Sequence, residues 1–144
     1  MKIGFSADHA GYKLKMFLIE LLQNEGNEIT DFGTNSIESV DYPDFAHPLA
    51  LAVESGEVDC GIAVCGTGNG INMTLNKHQK IRAALCWNCE IAALARKHNN
   101  ANVCSLPARF ISENEAAKIV ETFLKSDFED GRHQRRIDKI PCII

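Results

Sequence analysis

The sequence predicts an α/β fold: a single Rossmann-like domain whose sheet of about five parallel strands is covered by helices on both faces. Short apolar runs alternate with segments of helical periodicity along the whole chain, and glycines punctuate the changes from one to the other. Strands that alternate with helices need crossover connections, and crossovers give a parallel sheet. No linker, repeat or low-complexity stretch interrupts the alternation, and 144 residues suit one compact domain spanning 1–144.

The elements follow in order. Lys2 to Ser6 is a first strand. Tyr12 to Asn24 is a helix, with Leu14, Phe17, Leu18, Leu21 and Leu22 on its apolar side and Gly26 as its stop. Glu28 to Phe32 is a second strand. Asp44 to Ser55 is a helix that tolerates Pro48 and ends at Gly56. Cys60 to Cys65 is a continuous apolar run, as expected of a strand buried on both faces. Gly70 to Lys77 is a short helix, Ile81 to Cys86 a strand, Asn88 to His98 a helix and Val103 to Leu106 a strand. Glu113 to Lys125 is a helix with Ala116, Ile119, Val120 and Phe123 facing inward, and Arg132 to Ile140 is a last helix ended by Pro141.

Composition narrows the function. The chain is 45% hydrophobic and 24% charged, with a net charge of −4, so no global basic field recruits nucleic acid or a membrane. A phosphate ligand would need a local basic cluster, and Arg132, His133, Arg135 and Arg136 supply one. Asp8 and His9 break any leader-like apolar stretch, and no apolar run approaches the ~20 residues that cross a bilayer. The expectation is a cytoplasmic protein with reduced thiols. Cys60, Cys86, Cys104 and Cys142 sit in apolar surroundings and read as small core side chains.

In open parallel sheets, ligands bind beyond the carboxyl ends of the strands. Two loops fall there: Asp8-His9-Ala10-Gly11 after the first strand, and Cys65-Gly66-Thr67-Gly68-Asn69-Gly70 after the third. Glycine spacing in the second loop lets several backbone N–H groups face one anion. It is not the G-x-G-x-x-G of dinucleotide binding, and Gly70 is followed by Ile71 rather than the Lys-Ser/Thr of a P-loop. A plain tight turn would also account for it. Cys65, at the lip of the loop, faces amides that favour a thiolate and could serve as a base; a structural cysteine is the alternative. Asp8 either serves a ligand or caps the next helix. Arg132 and Arg136, at i and i+4, form an anion clamp or a solvated basic face. His98 and Asn99 close a helix, where a histidine can simply complement the dipole. His47 and His78 read as surface residues without partners. No ligand spacing for a metal is seen. Cys86-Trp87-Asn88-Cys89 is a C-x-x-C between a strand and a helix, and it keeps a thiol redox protein open as a further reading.

Taken together, Ser6–Gly11, Asp41-Tyr42-Pro43, Cys65–Ile71, Asn76-Lys77, Ile81-Arg82-Ala83, Lys97–Val103 and Gly131–Arg136 make the chain resemble the type B ribose-5-phosphate isomerases, a family that includes galactose-6-phosphate isomerase subunits. The resemblance spans nearly all of the chain. It implies an aldose–ketose isomerase that converts ribose 5-phosphate to ribulose 5-phosphate through an enediolate, without metal or cofactor. It implies Cys65 as the base and Gly66, Thr67, Gly68, Asn69 and Gly70 around the enediolate. His98 would open the sugar ring and Asp8 would bond sugar oxygens. His9, Arg109, Arg132 and Arg136 would receive the phosphate, and Tyr42 and Asn99 would line the sugar pocket. A six-carbon substrate, allose 6-phosphate or galactose 6-phosphate, is the alternative within the family. Similar enzymes are homodimers or pairs of dimers. Geometry suggests a shared site here as well, because Cys65 ends a strand whereas His98 ends a helix returning to the opposite sheet edge.

Overall fold

The computed structural model describes residues 1–142. Among these, five strands and six helices alternate: β1 (Lys2–Ala7), α1 (Tyr12–Asn24), β2 (Glu28–Asp31), α2 (Pro43–Ser55), β3 (Cys60–Cys65), α3 (Asn69–Leu75), β4 (Ala83–Leu85), α4 (Cys89–Asn99), β5 (Val103–Pro107), α5 (Glu113–Lys125) and α6 (Arg132–Ile137). The strands form one all-parallel sheet in the order β2-β1-β3-β5-β4. The chain leaves β1 for β2 on one side and returns to β3 on the other. That reversal opens a crevice at the carboxyl ends of β1 and β3, so both loops singled out in the sequence flank it.

Helices α1, α4 and α5 cover one face over Phe5, Ile62, Val64 and Leu106. Helices α2 and α3 cover the other, over Ala63, Cys65 and Val103. All six residues of β3 are buried, which explains its unbroken apolar run. Helix α5 begins with a capping box between Ser112 and Glu115, and Asn88 caps α4 by accepting from the Ile91 N–H at 2.9 Å.

Several expectations shift. In α1 the buried stripe is Leu14, Leu18 and Leu22 flanked by Lys15 and Ile19, while Leu21 is only half-buried. Lys15 is fully buried: its Nζ donates to Asp31 at 2.6 and 2.7 Å and to the Thr34 carbonyl at 2.7 Å, tying α1 to the end of β2. β4 is confined to Ala83–Leu85: before it the Arg82 N–H donates to Asn102 Oδ1 rather than to a backbone carbonyl. Within it Asn76 brackets the N–H and C=O of Ala83. Helix α6 stops at Ile137, since beyond it the residues are exposed and offer no apolar face. Cys60, Cys86 and Cys104 are buried as expected, but Cys142 is exposed. His47 and His78 are not partnerless: His47 Nδ1 and His78 Nε2 lie 2.8 Å apart, and His78 Nδ1 is 3.4 Å from Glu54 Oε2. No helix is long and apolar enough to cross a membrane.

Candidate active site

A pocket of about 640 Å³ lies at the crevice. Of the residues singled out in the sequence, Asp8, His9, Tyr42, Cys65, Gly66, Thr67, Gly70 and Arg109 line it. β1 delivers Asp8 and β3 delivers Cys65. The Asp8 N–H donates to the Val64 carbonyl at 3.2 Å, so the two strand ends run side by side. Asp8 Oδ1 accepts from the Gly11 N–H at 3.0 Å at the start of α1. Gly11 is itself the N-cap of α1, which has no side-chain cap, so Asp8 braces the turn before the helix rather than capping it, and its other oxygen is the one a ligand can use. Gly11 packs against β3: a methyl group there would meet the Val64 carbonyl oxygen at 2.4 Å. His9 Nδ1 accepts from the Val40 N–H at 3.1 Å, so a neutral ring carries its proton on Nε2 and presents a donor to an anion.

The glycine loop is held from both sides. Gly68 adopts φ +74°, and a methyl group on it would lie 2.4 Å from Leu85 Cδ1, so only glycine fits. Arg109 reaches the pocket because the turn after β5 pairs with the loop. The Ala108 N–H donates to the Cys65 carbonyl at 2.9 Å and the Arg109 N–H to the Gly66 carbonyl at 3.0 Å. The guanidinium then lies over Gly66, 3.2 Å from where a methyl would stand. Thr67 Oγ1 accepts from the Asn69 N–H at 3.2 Å and keeps its own proton free to donate. Cys65 is 4% exposed, open to the pocket and little else. Asp41 and Asp44 also border the pocket. The sequence reading quoted Asp41 within a motif without assigning it to the site, and the tyrosine beside it was the better signal.

Gly68 and Asn69, although in the loop, do not line this pocket, and neither do His98, Asn99, Arg132 and Arg136. The last four form a second group, where the end of α4 meets α6. The Glu129 N–H donates to the Lys97 carbonyl at 3.0 Å and fixes the segment before α6 beside His98. His98 and His133 stack with ring centroids 4.3 Å apart and planes at 12°. Both Nε2 atoms approach Glu129 Oε2, at 3.8 and 3.9 Å. These three side chains could be read as metal ligands. The rings are nearly parallel, however, so their in-plane lone pairs do not converge on one ion. Burial and the neighbouring His98, Arg132 and Arg136 hold the His133 imidazolium below the ordinary histidine range. His133 was seen in the sequence only as part of the basic cluster. On α6, His133 and Ile137 face inward while Arg132 and Arg136 are exposed together, as their i, i+4 spacing requires.

The C-x-x-C pair does not form a reactive centre. Cys86 is fully buried, and its Sγ donates to the Ala84 carbonyl at 3.5 Å. A buried thiol without solvent access is a poor exchange partner.

The chain is a doubly wound α/β protein with a glycine loop, a cysteine and an aspartate at its switch point, where such folds place their ligands. The ribose/galactose isomerase family profile matches residues 3–140. The ribose-5-phosphate isomerase B of Escherichia coli K12 is 44% identical over 142 residues, covering 99% of this chain and 95% of that protein. The solved structure of ribose-5-phosphate isomerase B from Clostridium thermocellum superposes with a TM-score of 0.96 at 49% identity, over 97% of this chain and 95% of that one. The Mycoplasma genitalium enzyme with bound ribulose 5-phosphate gives a TM-score of 0.92 at 46% identity, over 96% of this chain and 93% of that one. The chain belongs to the ribose/galactose isomerase family.

Proposed function

We propose that this chain acts as one isomerase domain that interconverts ribose 5-phosphate and ribulose 5-phosphate. The observation that carries the reading is the convergence of Cys65, Asp8, Gly66, Thr67 and Gly70 on one pocket, in a chain whose relatives are named for this reaction. Moving a proton between C1 and C2 needs a base beside the carbon acid and donors at the oxygen that gains charge. Cys65 is the base, the loop N–H groups and Thr67 hold the enediolate oxygen, and Asp8 orients the sugar hydroxyls. Tyr42 walls the pocket. His9 and Arg109 present donors to the phosphate, whose binding energy positions the reacting carbons.

The remaining residues come from a second copy of the chain. His98 ends α4, whose 11 residues run back from the pocket edge for about 16 Å. Cys65 pairs with Pro107 at the carboxyl end of β5, whereas His98 lies before Val103 at its start. Proton transfer within one sugar cannot span that separation. A two-fold homodimer, alone or within a pair of dimers, sets the His98, Asn99, Arg132 and Arg136 group of one chain over the Cys65 pocket of the other. Ring opening by His98 and the arginine clamp then act on the substrate held by Cys65. Reduced thiols are consistent with a cytoplasmic site of action.

The test is a coupled assay for ribulose 5-phosphate, with allose 6-phosphate and galactose 6-phosphate as comparison substrates. Ribose 5-phosphate should give the highest kcat/KM. Cys65→Ala should abolish turnover and leave binding of ribose 5-phosphate largely intact. A Cys65→Ala variant with near-parental kcat, or a parent preferring a six-carbon substrate, would overturn the corresponding part of the proposal.

A further inference from the structure

The sheet face that carries Cys65 is built in rows. Parallel pairing sets Gly4 beside Gly61 and Gly61 beside Val103; the next row towards the pocket is Ser6, Ala63 and Ser105; the row above joins Cys65 to Pro107. Side chains two residues apart on a strand point the same way. Ser6, Ala63 and Ser105 therefore share the face of Cys65 and lie one layer beneath it. Ala63 and Cys65 indeed belong to the same apolar cluster under α2 and α3.

That layer is apolar except for the two serines. Both are fully buried, and neither hydroxyl has a hydrogen-bond partner among the described residues. Each buried, unpaired polar group is a cost to folding. Alanine, as at position 63 between them, would avoid the cost at both serines. Strands lie about 4.8 Å apart and residues of one face about 6.7 Å apart along a strand, which puts each serine about 8 Å from Cys65 between Cβ atoms. A gap of that length, once the Oγ and Sγ atoms are reached, matches the span of a single bridging water.

We propose that Ser6 and Ser105 form a hydrated polar layer beneath Cys65, which hydrogen-bonds its sulfur through water and keeps it aimed at the substrate carbon. The two are positioning residues: they touch neither substrate nor reacting atoms and act through Cys65. Hydrogen bonds to an ionised acceptor are the stronger ones, so the layer acts on the sulfur in the form that takes the proton. The inference rests on the reading of Cys65 as the base.

The experiment compares the parent with the Ser6→Ala/Ser105→Ala double variant on two readouts. One is kcat and KM for ribose 5-phosphate. The other is the rate at which iodoacetamide alkylates Cys65 at pH 7, followed by mass spectrometry of the Cys65 peptide. The expected result is a fall of roughly three- to tenfold in both kcat and alkylation rate, with KM unchanged. If the serines are only awkward core residues, their removal raises Tm and leaves both rates alone, and the proposal is overturned; either rate unchanged overturns it as well. Should the double variant not fold, the two single variants are measured in the same way. A high-resolution crystal structure of the parent adds a direct check: a water within 3.5 Å of both a serine Oγ and Cys65 Sγ is expected, and a dry layer is fatal to the idea. Failure of the base assignment itself shows separately, as turnover by Cys65→Ala.

Discussion

The ring of Tyr42 rests on the bare backbone of Gly70: a methyl group on that glycine would lie 2.4 Å from Tyr42 Cζ and 2.8 Å from its hydroxyl oxygen. Tyr42 precedes α2 and Gly70 lies in the first turn of α3, so this contact sets the width of the pocket between two helices. Gly70→Ala keeps an ordinary helical backbone and must instead displace the ring. We expect a KM for ribose 5-phosphate raised about tenfold, the kinetic equivalent of ~1.4 kcal/mol of overpacking, with Tm nearly unchanged. Gly68→Ala, at φ +74° and against Leu85, should by contrast lower Tm. Kinetics and thermal denaturation on the two variants separate these outcomes.

The shared-site arrangement predicts complementation. Cys65→Ala and His98→Asn should each be inactive alone. After reversible dissociation and random mixing in equal amounts, half the dimers are hybrids, and each hybrid has one site with both lesions and one with neither. About a quarter of parental activity should return. Absence of recovery, with hybrids confirmed by native mass spectrometry, would show that each chain builds its own site.

Lys15 is the buried cation of the fold, and its ammonium is matched by Asp31 and the Thr34 carbonyl. Lys15→Met leaves Asp31 without its partner. The expected loss is about 3 kcal/mol, at the low end for breaking a buried pair because Asp31 keeps 28% side-chain exposure. Urea denaturation measures it. The further replacement of Asp31 by Asn should recover part of the loss, since the orphaned charge is then gone.

Burial pushes the Cys60 thiol up to about 11. Its ionisation in the unfolded chain begins near the ordinary cysteine value of about 8.5. The folded value is the higher one, so the associated stability is complete below about pH 8.5 and is lost as pH rises towards 11. Between pH 7 and pH 10 the parent should lose about 2 kcal/mol more than Cys60→Ala, read as the difference in urea midpoints multiplied by m.

The local chemistry was legible in the residues. The unbroken apolar run of Cys60–Cys65 marked a strand buried on both faces, and the glycines after it marked the loop at its carboxyl end. Asp8 and Cys65 could be assigned to one sheet edge without coordinates, because in a parallel sheet every strand ends on the same side. Asn88 and Ser112 cap α4 and α5, residue types that start helices, and the two helices lie where their apolar periodicity placed them. Errors fell where side chains override periodicity. The Asn102 side chain took over the Arg82 N–H that would have lengthened β4, and Lys15 entered the core because Asp31, 16 residues away, was waiting for its charge.

What the sequence determined by itself was the order of elements, the pocket-edge loops and, through its assembled motifs, the family. Tertiary structure alone decided the strand order β2-β1-β3-β5-β4, the placing of Arg109 over Gly66 and the stacking of His98 on His133 beside Glu129. It also separated the candidate residues into two groups at different places on the chain. The physical reason is range. Periodicity, capping and turn chemistry act between residues a few positions apart and are written in short stretches of sequence. Which strand lies beside which, and which side chains meet across the sheet, depends on burying all the apolar faces at once.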